Sequence, residues 1–343
     1  MNVRTRAALC AATFYFALGG PLYAEIGDLV ADGVVGHSSL SDVGGLQFGP
    51  ATFAKPRGLA IDRGVVPNRV YVSDTEYHRV LGWADADALS AGAPADIVIG
   101  QADMMSFGCN RQAFDAGITP PATLSSLCQP TGLAVDDGGR LYVADSRNCR
   151  VLVFDDPFGT DQVADHVLGS TGQCSGVTVN ATDMYDPEGV AVDGTGNVFV
   201  ADTLHCRVLE FDGPVDSADA IADRVYGQGS FTASFCQSVY FPRSVAVDPS
   251  GTLWVGSGSR VYQFDDALAG SAATPTRSLG SVNCNDGGES ASSTCGPAAV
   301  ATDAAGRLYV GDAGNSRVLA FDAPHGIFQA GRVYGQPTFL GST

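Results

Sequence analysis

Five prolines occur at intervals of 74, 57, 55 and 55 residues, and the residue immediately after each is a candidate for ligand binding. The five residues are Arg57, Thr131, Glu188, Arg243 and Ala298. Arginine binds carboxylates through paired hydrogen bonds, so two arginines and a glutamate in one place could hold an acidic ligand. Alternatively, these side chains form ion pairs with one another. Either interpretation requires a fold that brings the five positions together.

Cysteines offer a second kind of chemistry. Cys10 is followed by eight more, namely Cys109, Cys128, Cys149, Cys174, Cys206, Cys236, Cys284 and Cys295. An even number of cysteines in an exported chain predicts four disulfides. Zinc binding is the alternative, and the sequence has no C-x-x-C pair to favour it.

An aspartate is followed five residues later by an arginine in four places. The pairs are Asp74 with Arg79, Asp145 with Arg150, Asp202 with Arg207, and Asp312 with Arg317. Aspartate accepts hydrogen bonds from turn amides, and arginine binds carboxylates and carbonyls. Because one constellation recurs four times, we interpret these pairs as contacts that hold loops rather than as catalytic sites.

The elements that position these residues form a repeated unit. Each copy runs from a Pro-x-Gly-Val-Ala-x-Asp phrase through a glycine turn, an aromatic–Val run, the Asp-x4-Arg phrase and a last run ending in Gly. Short β-branched and aromatic runs separated by Gly, Asp, Asn or Pro predict four strands per copy. Four antiparallel strands per repeat are typical of a β-propeller blade. We therefore predict an all-β propeller with repeats near 56–101, 130–170, 187–228, 242–281 and 297–336.

These phrases resemble the NHL-repeat family, and the segment 130–154 matches the pattern best. The resemblance extends over most of the chain and implies a single propeller domain over 25–343. Relatives often have six blades, but only five sets of inner strands are present, so we predict five blades with six as the alternative. The segment 31–36 resembles one further outer strand, which either closes the ring at the last blade or lies outside it.

The fourth copy departs from the pattern. It reads Val-Gly-Ser-Gly-Ser-Arg from Val255 to Arg260, two residues shorter and without the aspartate. We expect a tighter loop there that lacks the Asp–Arg contact.

Blade topology predicts how the cysteines pair. In a four-stranded up-and-down blade, the loop between the second and third strands lies on the same face as the connection to the next blade. Cysteines in these two places can therefore meet within one blade. On this basis we predict the pairs Cys149–Cys174 and Cys206–Cys236. We also predict Cys109–Cys128 and Cys284–Cys295, because the two cysteines of each pair fall within one long blade connection. His205 lies in the same kind of loop, so we include it among the candidate ligand-binding residues.

Some propellers that resemble this family are enzymes. Peptide-amidating lyases hold zinc with three histidines, but only His78 and His205 fall in loops of the expected binding face. Propeller lactonases need several inner carboxylates, and Glu188 alone is evident at that level. We therefore expect no metal and no cofactor, and treat a metal-dependent lyase or lactonase at the channel mouth as the alternative function.

The N-terminus predicts export. Two arginines precede the apolar run 7–18, and a small residue, Ala24, offers a cleavage position, as in a secretory signal peptide over 1–24. The run is short for a membrane span, and no later segment is long enough, so we expect none after cleavage. We predict an extracytoplasmic location, whether secreted, periplasmic or at the cell surface.

Composition and charge limit the function. The chain has 45% hydrophobic residues, which argues against disorder, and a net charge of −18, which disfavours nucleic-acid binding. The connection 101–129 is longer than the others and rich in apolar residues, so it is either a partner-binding loop, a plug over the channel or packing on a neighbouring blade. We predict a non-catalytic module that binds a protein, peptide or glycan at the loop face.

Overall fold

Twenty strands in five antiparallel sheets make up the computed structural model of the chain. It describes residues 48–336 except 88, 90–91, 113–119, 170–173, 175–177, 217–220, 234, 259, 266–269, 281–293, 323 and 327–328. The predicted signal peptide, the extra strand at 31–36 and Cys284 lie outside these residues.

Each sheet is one blade with its four strands in chain order. Blade 1 contains β1 (Pro56–Asp62), β2 (Arg69–Asp74), β3 (Arg79–Trp83) and β4 (Ile97–Ile99). Blade 2 contains β5 (Pro130–Val135), β6 (Leu141–Asp145), β7 (Arg150–Phe154) and β8 (His166–Gly169). Blade 3 contains β9 (Pro187–Val192), β10 (Val198–Asp202), β11 (Arg207–Phe211) and β12 (Arg224–Tyr226). Blade 4 contains β13 (Pro242–Val247), β14 (Leu253–Ser257), β15 (Arg260–Phe264) and β16 (Arg277–Leu279). Blade 5 contains β17 (Pro297–Thr302), β18 (Leu308–Asp312), β19 (Arg317–Phe321) and β20 (Arg332–Tyr334).

The prediction of five four-stranded blades around an axis is confirmed. Single-turn 3-10 helices follow the second strand in three blades, at Thr75–Tyr77, Ser146–Asn148 and Ala313–Asn315, and another lies at Cys109–Arg111. None of the helices in the described part of the chain has the length and hydropathy needed to cross a membrane.

The core lies between blades because the second strands of blades 1 to 4 are buried on both faces. In β6, Leu141 and Val143 pack with residues of blade 1, whereas Tyr142 packs with residues of blade 3. Alternate side chains of a strand point to opposite faces, so one apolar strand contributes to two interfaces. A blade therefore depends on its neighbours for much of its buried surface.

The Asp-x4-Arg pairs hold the loops, as predicted. Arg150 Nε donates to Asp145 Oδ2 over 2.8 Å, and its Nη2 donates to the carbonyls of Thr123 and Ser126. Asp145 Oδ1 accepts the amide of Cys128 over 2.7 Å. Both charged side chains are buried. Arg79, Arg207 and Arg317 form the same ion pair in their blades.

Blade 4 lacks this contact, again as predicted. Ser257 takes the aspartate position, and its hydroxyl donates to the carbonyl of Tyr240. The Nε atom of Arg260 is buried and has no hydrogen-bond acceptor among the described residues.

Hydroxyl groups link successive blades on the inner side of these loops. The hydroxyls of Thr75 and Ser146 donate to the carbonyls of Pro130 and Pro187 over 2.7 and 2.6 Å. Thr203 donates in the same way to Pro242 over 2.7 Å. In each case the residue follows the loop aspartate and contacts the proline that opens the next blade. Blade 5 has Ala313 at this position and cannot form the bond.

Glycines allow the inner strands to approach closely. A Cβ at Gly58 would lie 2.1 Å from the carbonyl oxygen of Thr131, and one at Gly132 would lie 2.6 Å from that of Glu188. Ala299, the equivalent residue of blade 5, already carries a Cβ. At Gly58 and Gly132 a side chain would collide with backbone atoms of the next blade, so glycine is required at both positions.

Replacing Gly132 with alanine is expected to lower the free energy of unfolding by about 1–3 kcal/mol, because backbone atoms of blade 3 cannot move aside as a side chain could. Gly194→Ala is the matched control, since nothing lies within 4 Å of its Cβ position. Urea unfolding of both oxidised variants measures the difference. Equal stabilities would show that the inner strands are not in close contact.

The packing around the axis is uneven. β1 packs on β5, β5 on β9, β9 on β13 and β13 on β17, whereas few contacts join β17 to β1 in the described residues. Leu59 of β1 is 63% exposed, although Leu133 at the equivalent position of β5 is 8% exposed. Val318 of blade 5 is 38% exposed, and its equivalent Val151 is fully buried. The facing sides of blades 5 and 1 are therefore less covered than the other interfaces.

Candidate functional site

Disulfides connect the loops on one face of the ring, called the loop face here, which carries the second-to-third-strand loops and the blade connections. The predicted pairs Cys109–Cys128, Cys149–Cys174 and Cys206–Cys236 are disulfides, with Cα–Cα distances of 4.4, 5.3 and 5.1 Å. Cys295 is disulfide-bonded, while Cys284, its predicted partner, lies outside the described residues. Three disulfides are typical of a non-reducing, extracytoplasmic environment.

A cavity of about 170 Å³ lies at the channel mouth on the loop face. Its lining residues are Lys55, Arg57, Thr75, Glu76, Gln129, Thr131, Ser146, Arg147, Asp186 and Glu188. An Arg57 Nη1 atom lies 3.5 Å from Glu188 Oε2, and Arg243 Nε of blade 4 lies 3.9 Å from the same oxygen. Arg243 is 56% exposed. The fold thus brings two of the predicted residues, Arg57 and Arg243, to the carboxylate of a third, Glu188.

Two carboxyl groups in this cavity are partly withdrawn from water. Burial raises the pKa of Glu188, and the charges of Arg243 and Arg57 oppose that rise. Burial also raises the pKa of Asp186, against the charges of Arg147, Arg57 and Arg243. Burial disfavours the charged form of a carboxyl group, and the nearby cations favour it.

Thr131 and His205 have internal partners. The Thr131 hydroxyl lies 2.7 Å from Ser146 Oγ and 2.9 Å from the carbonyl oxygen of Glu188. His205 is not among the cavity-lining residues, and its Nδ1 lies 3.0 Å from Asp202 Oδ2 at the loop ion pair of blade 3. Ala298 occupies the same position in β17 as Arg57 does in β1.

Several cavity residues have no obvious signal in the sequence. Lys55, Gln129 and Asp186 each precede an opening proline and have left-handed backbone with φ of 65, 53 and 54°. Phe241 of blade 4 has φ of 49° at the same position. This conformation is uncommon for non-glycine residues, and strained backbone of this kind is often found at binding sites. One signal is available in the sequence. The residue before the blade-opening proline varies from Lys to Gln to Asp to Phe, while the proline itself is constant.

The long connection 101–129 packs on blade 1. Phe107 contacts the rings of Phe48 and Tyr77, with centroid distances of 4.7 and 5.8 Å. Arg79 donates to the carbonyl of Met104 over 2.8 Å. Met105 remains exposed. Of the three alternatives for this connection, packing is observed for its first part, and a role in partner binding stays a prediction.

Within the described ranges, no three His, Cys, Asp or Glu side chains converge where they could hold one metal ion. Two of the histidines have other partners. His78 Nδ1 accepts the amide of Gln129 over 3.0 Å, and burial lowers the pKa of His78. His325 Nε2 lies 2.9 Å from Asp248 Oδ2 on the opposite face.

This opposite face carries a second cleft, of about 380 Å³, beside Asp248 and His325. The His325 ring of blade 5 packs on Trp254 of blade 4 at 5.8 Å between centroids, just as Phe158 of blade 2 packs on Tyr71 of blade 1 at 5.7 Å. His325 thus occupies a position that contacts the preceding blade in other repeats. The cleft is explained by blade packing.

Comparisons with known proteins agree with this architecture. The family model for the NHL repeat matches residues 127–154, 184–211 and 294–321. No curated protein matches the chain significantly.

Solved structures resemble the chain at low sequence identity. A protein from Lactobacillus plantarum is 16% identical, with 79% of this chain and 68% of that chain covered and a TM-score of 0.50. A gluconolactonase from Xanthomonas campestris is 17% identical, with coverages of 83% and 77% and a TM-score of 0.49. A streptogramin B lyase is 9% identical, with coverages of 85% and 72% and a TM-score of 0.46. Likeness at this level concerns the fold alone. The repeats, the blade topology and the family match together identify the chain as a five-bladed β-propeller that contains NHL repeats in the three matched segments.

Proposed function

We propose that the protein is an exported, non-catalytic binding module that holds an acidic group of a protein, peptide or glycan at the channel mouth. The observation that carries the proposal is the sharing of Glu188 by Arg57 and Arg243 at 3.5 and 3.9 Å. A guanidinium group has five N–H donors, so one carboxylate between two arginines leaves donors for a second acid.

The charge distribution favours a local site over general attraction. The chain carries −18 overall, which repels polyanions. Around the cavity, however, the four cations Lys55, Arg57, Arg147 and Arg243 outnumber the three carboxylates of Glu76, Asp186 and Glu188. An acidic ligand that binds at all should therefore bind at this group.

A non-catalytic role is supported by what the other charged residues do. The loop aspartates and arginines are buried in ion pairs that recur from blade to blade. His205 is paired to one of these aspartates. These groups are engaged in holding the loops, which leaves the arginines of the channel mouth for a ligand.

Export is supported by the disulfides, because such bonds persist in oxidising compartments. The prediction is that the secreted protein begins at or close to Glu25. N-terminal sequencing of protein recovered from outside the cytoplasm measures this, and recovery of intact Met1 with reduced cysteines would contradict export.

Removal of both arginines tests the binding site. Isothermal titration of oxidised protein with poly-L-glutamate and with polygalacturonate is expected to show binding of at least one polymer. Arg57→Ala/Arg243→Ala should weaken it by tenfold or more, since two charge-assisted contacts are lost. Glu188→Gln should strengthen it, because the internal competitor for both guanidinium groups loses its charge.

The matched control is Arg63→Ala/Arg332→Ala, which removes two positive charges at the opposite ends of the strands. It should leave the affinity unchanged within about twofold. An equal loss in the two double variants, or no binding of either polymer to the wild type, would refute the proposed site.

A further inference from the structure

An exposed apolar group lies on the loop face of blades 3 and 4. Its five side chains are 38 to 75% exposed. They are Tyr185, Leu204, Phe235, Tyr240 and Phe241, and we call them the apolar patch. Single exposed apolar residues are ordinary, but a contiguous group of large ones marks an interaction surface.

Backbone contacts bring the patch together from three segments. The amide of Leu204 donates to the carbonyl of Tyr185 over 3.0 Å. Thr203, the neighbour of Leu204, donates its hydroxyl to the carbonyl of Pro242, which directly follows Phe241. These bonds place the loop of blade 3 against the start of blade 4.

A disulfide fixes the third segment. Phe235 is adjacent to Cys236, which is bonded to Cys206 two residues after Leu204. Tyr240 is held through its carbonyl, which accepts from Ser257. A surface fixed in this way loses little conformational freedom when a partner binds, and this favours affinity.

Two segments of the patch run directly into residues of the channel-mouth site. Tyr185 directly precedes Asp186, which lines the cavity. Phe241 stands two residues before Arg243, whose guanidinium group faces Glu188. Apolar and cationic groups are thus adjacent on one cross-linked face.

We propose that this face binds a protein segment in which a carboxylate lies beside bulky apolar side chains. The carboxylate binds Arg57 and Arg243, and the apolar side chains cover the patch. The inference rests on the proposed function and narrows its ligand from three classes to one. Aromatic residues together with arginine are the types enriched where proteins bind proteins.

A glycan fits this surface less well. Leu204, Phe235 and Phe241 carry no side-chain donor or acceptor. Sugar hydroxyls buried against them would lose water without gaining a hydrogen bond, which costs binding free energy. Apolar side chains of a peptide have no such groups to leave unpaired.

Selection from a random peptide library displayed on phage tests the inference with intact, oxidised protein. Selected peptides are expected to combine Asp or Glu with Leu, Ile, Phe or Trp, and soluble copies are then titrated against variants. Phe235→Ser/Tyr240→Ser changes the two most exposed patch residues and should weaken binding by tenfold or more. Val66→Ser/Val163→Ser, at hairpins of the opposite face, should leave it unchanged.

The outcomes separate the two proposals. Peptides that lose affinity with Arg57→Ala/Arg243→Ala but not with Phe235→Ser/Tyr240→Ser would overturn the apolar patch and leave the acidic site standing. Peptides insensitive to both double variants would overturn both. Selection of acidic peptides without large apolar residues would also overturn the patch.

Discussion

Replacing Arg150 with leucine is expected to lower the free energy of unfolding by about 3–5 kcal/mol. The substitution leaves Asp145 buried without its cation and removes the donor to the carbonyls of Thr123 and Ser126. An uncompensated buried charge is among the most destabilising defects in a folded protein. Guanidinium chloride unfolding of the oxidised variant, compared with the wild type, measures the loss.

The chain supplies a matched control for this variant. Arg260 holds the equivalent position in blade 4, where Ser257 replaces the aspartate. Arg260→Leu leaves no carboxylate unpaired, so the expected cost is below about 1 kcal/mol. If the two variants were equally unstable, the Asp–Arg pair would not be what holds the loop.

Truncating Leu133 to alanine is expected to cost about 2–5 kcal/mol, because it opens a cavity in the interface between blades 1 and 2. Leu59→Ala, at the equivalent position of β1, should change stability by less than about 0.5 kcal/mol, since Leu59 is already exposed. Thermal melting in parallel with denaturant unfolding compares the two variants.

This pair tests the uneven packing of the ring. A large loss of stability in Leu59→Ala would mean that the side of blade 1 facing blade 5 is covered in solution as fully as the other interfaces are. In the described residues this side is uncovered, so the account requires Leu133→Ala to cost much more stability than Leu59→Ala.

Much of the fold follows from the sequence because local phrases repeat. Strand runs bounded by glycine and proline specify blades, and blade topology then fixes which loops share a face. The pairing of Cys149 with Cys174 and of Cys206 with Cys236 was predictable for this reason. The role of Asp145 and Arg150 was predictable because a contact repeated around a ring is structural.

Other features depend on distances that no local pattern encodes. The left-handed backbone of Lys55, Gln129 and Asp186 is one such feature, since residues of these types before other prolines would ordinarily be expected to be extended. The hydrogen bonds of the Thr131 hydroxyl to Ser146 and to the backbone of the next blade likewise have no signal in the sequence. The exposure of Leu59 likewise depends on whether blade 5 reaches blade 1.

The apolar patch escaped sequence reasoning for a related reason. Its residues come from a loop, a disulfide-bonded connection and the entry to a strand, in the range 185–241. Apolar residues in such segments are ordinarily assigned to the core. Only the folded arrangement shows that they stay exposed next to the arginines.

The most direct test of the channel-mouth site is an NMR titration of arginine Nε–H signals with poly-L-glutamate. The account predicts that the signals of Arg57 and Arg243 shift first and saturate together, whereas those of the buried Arg150 and Arg207 stay in place. Signals assigned through Arg57→Ala and Arg243→Ala variants make the comparison unambiguous. Shifts confined to arginines of the opposite face, such as Arg63, would contradict the account.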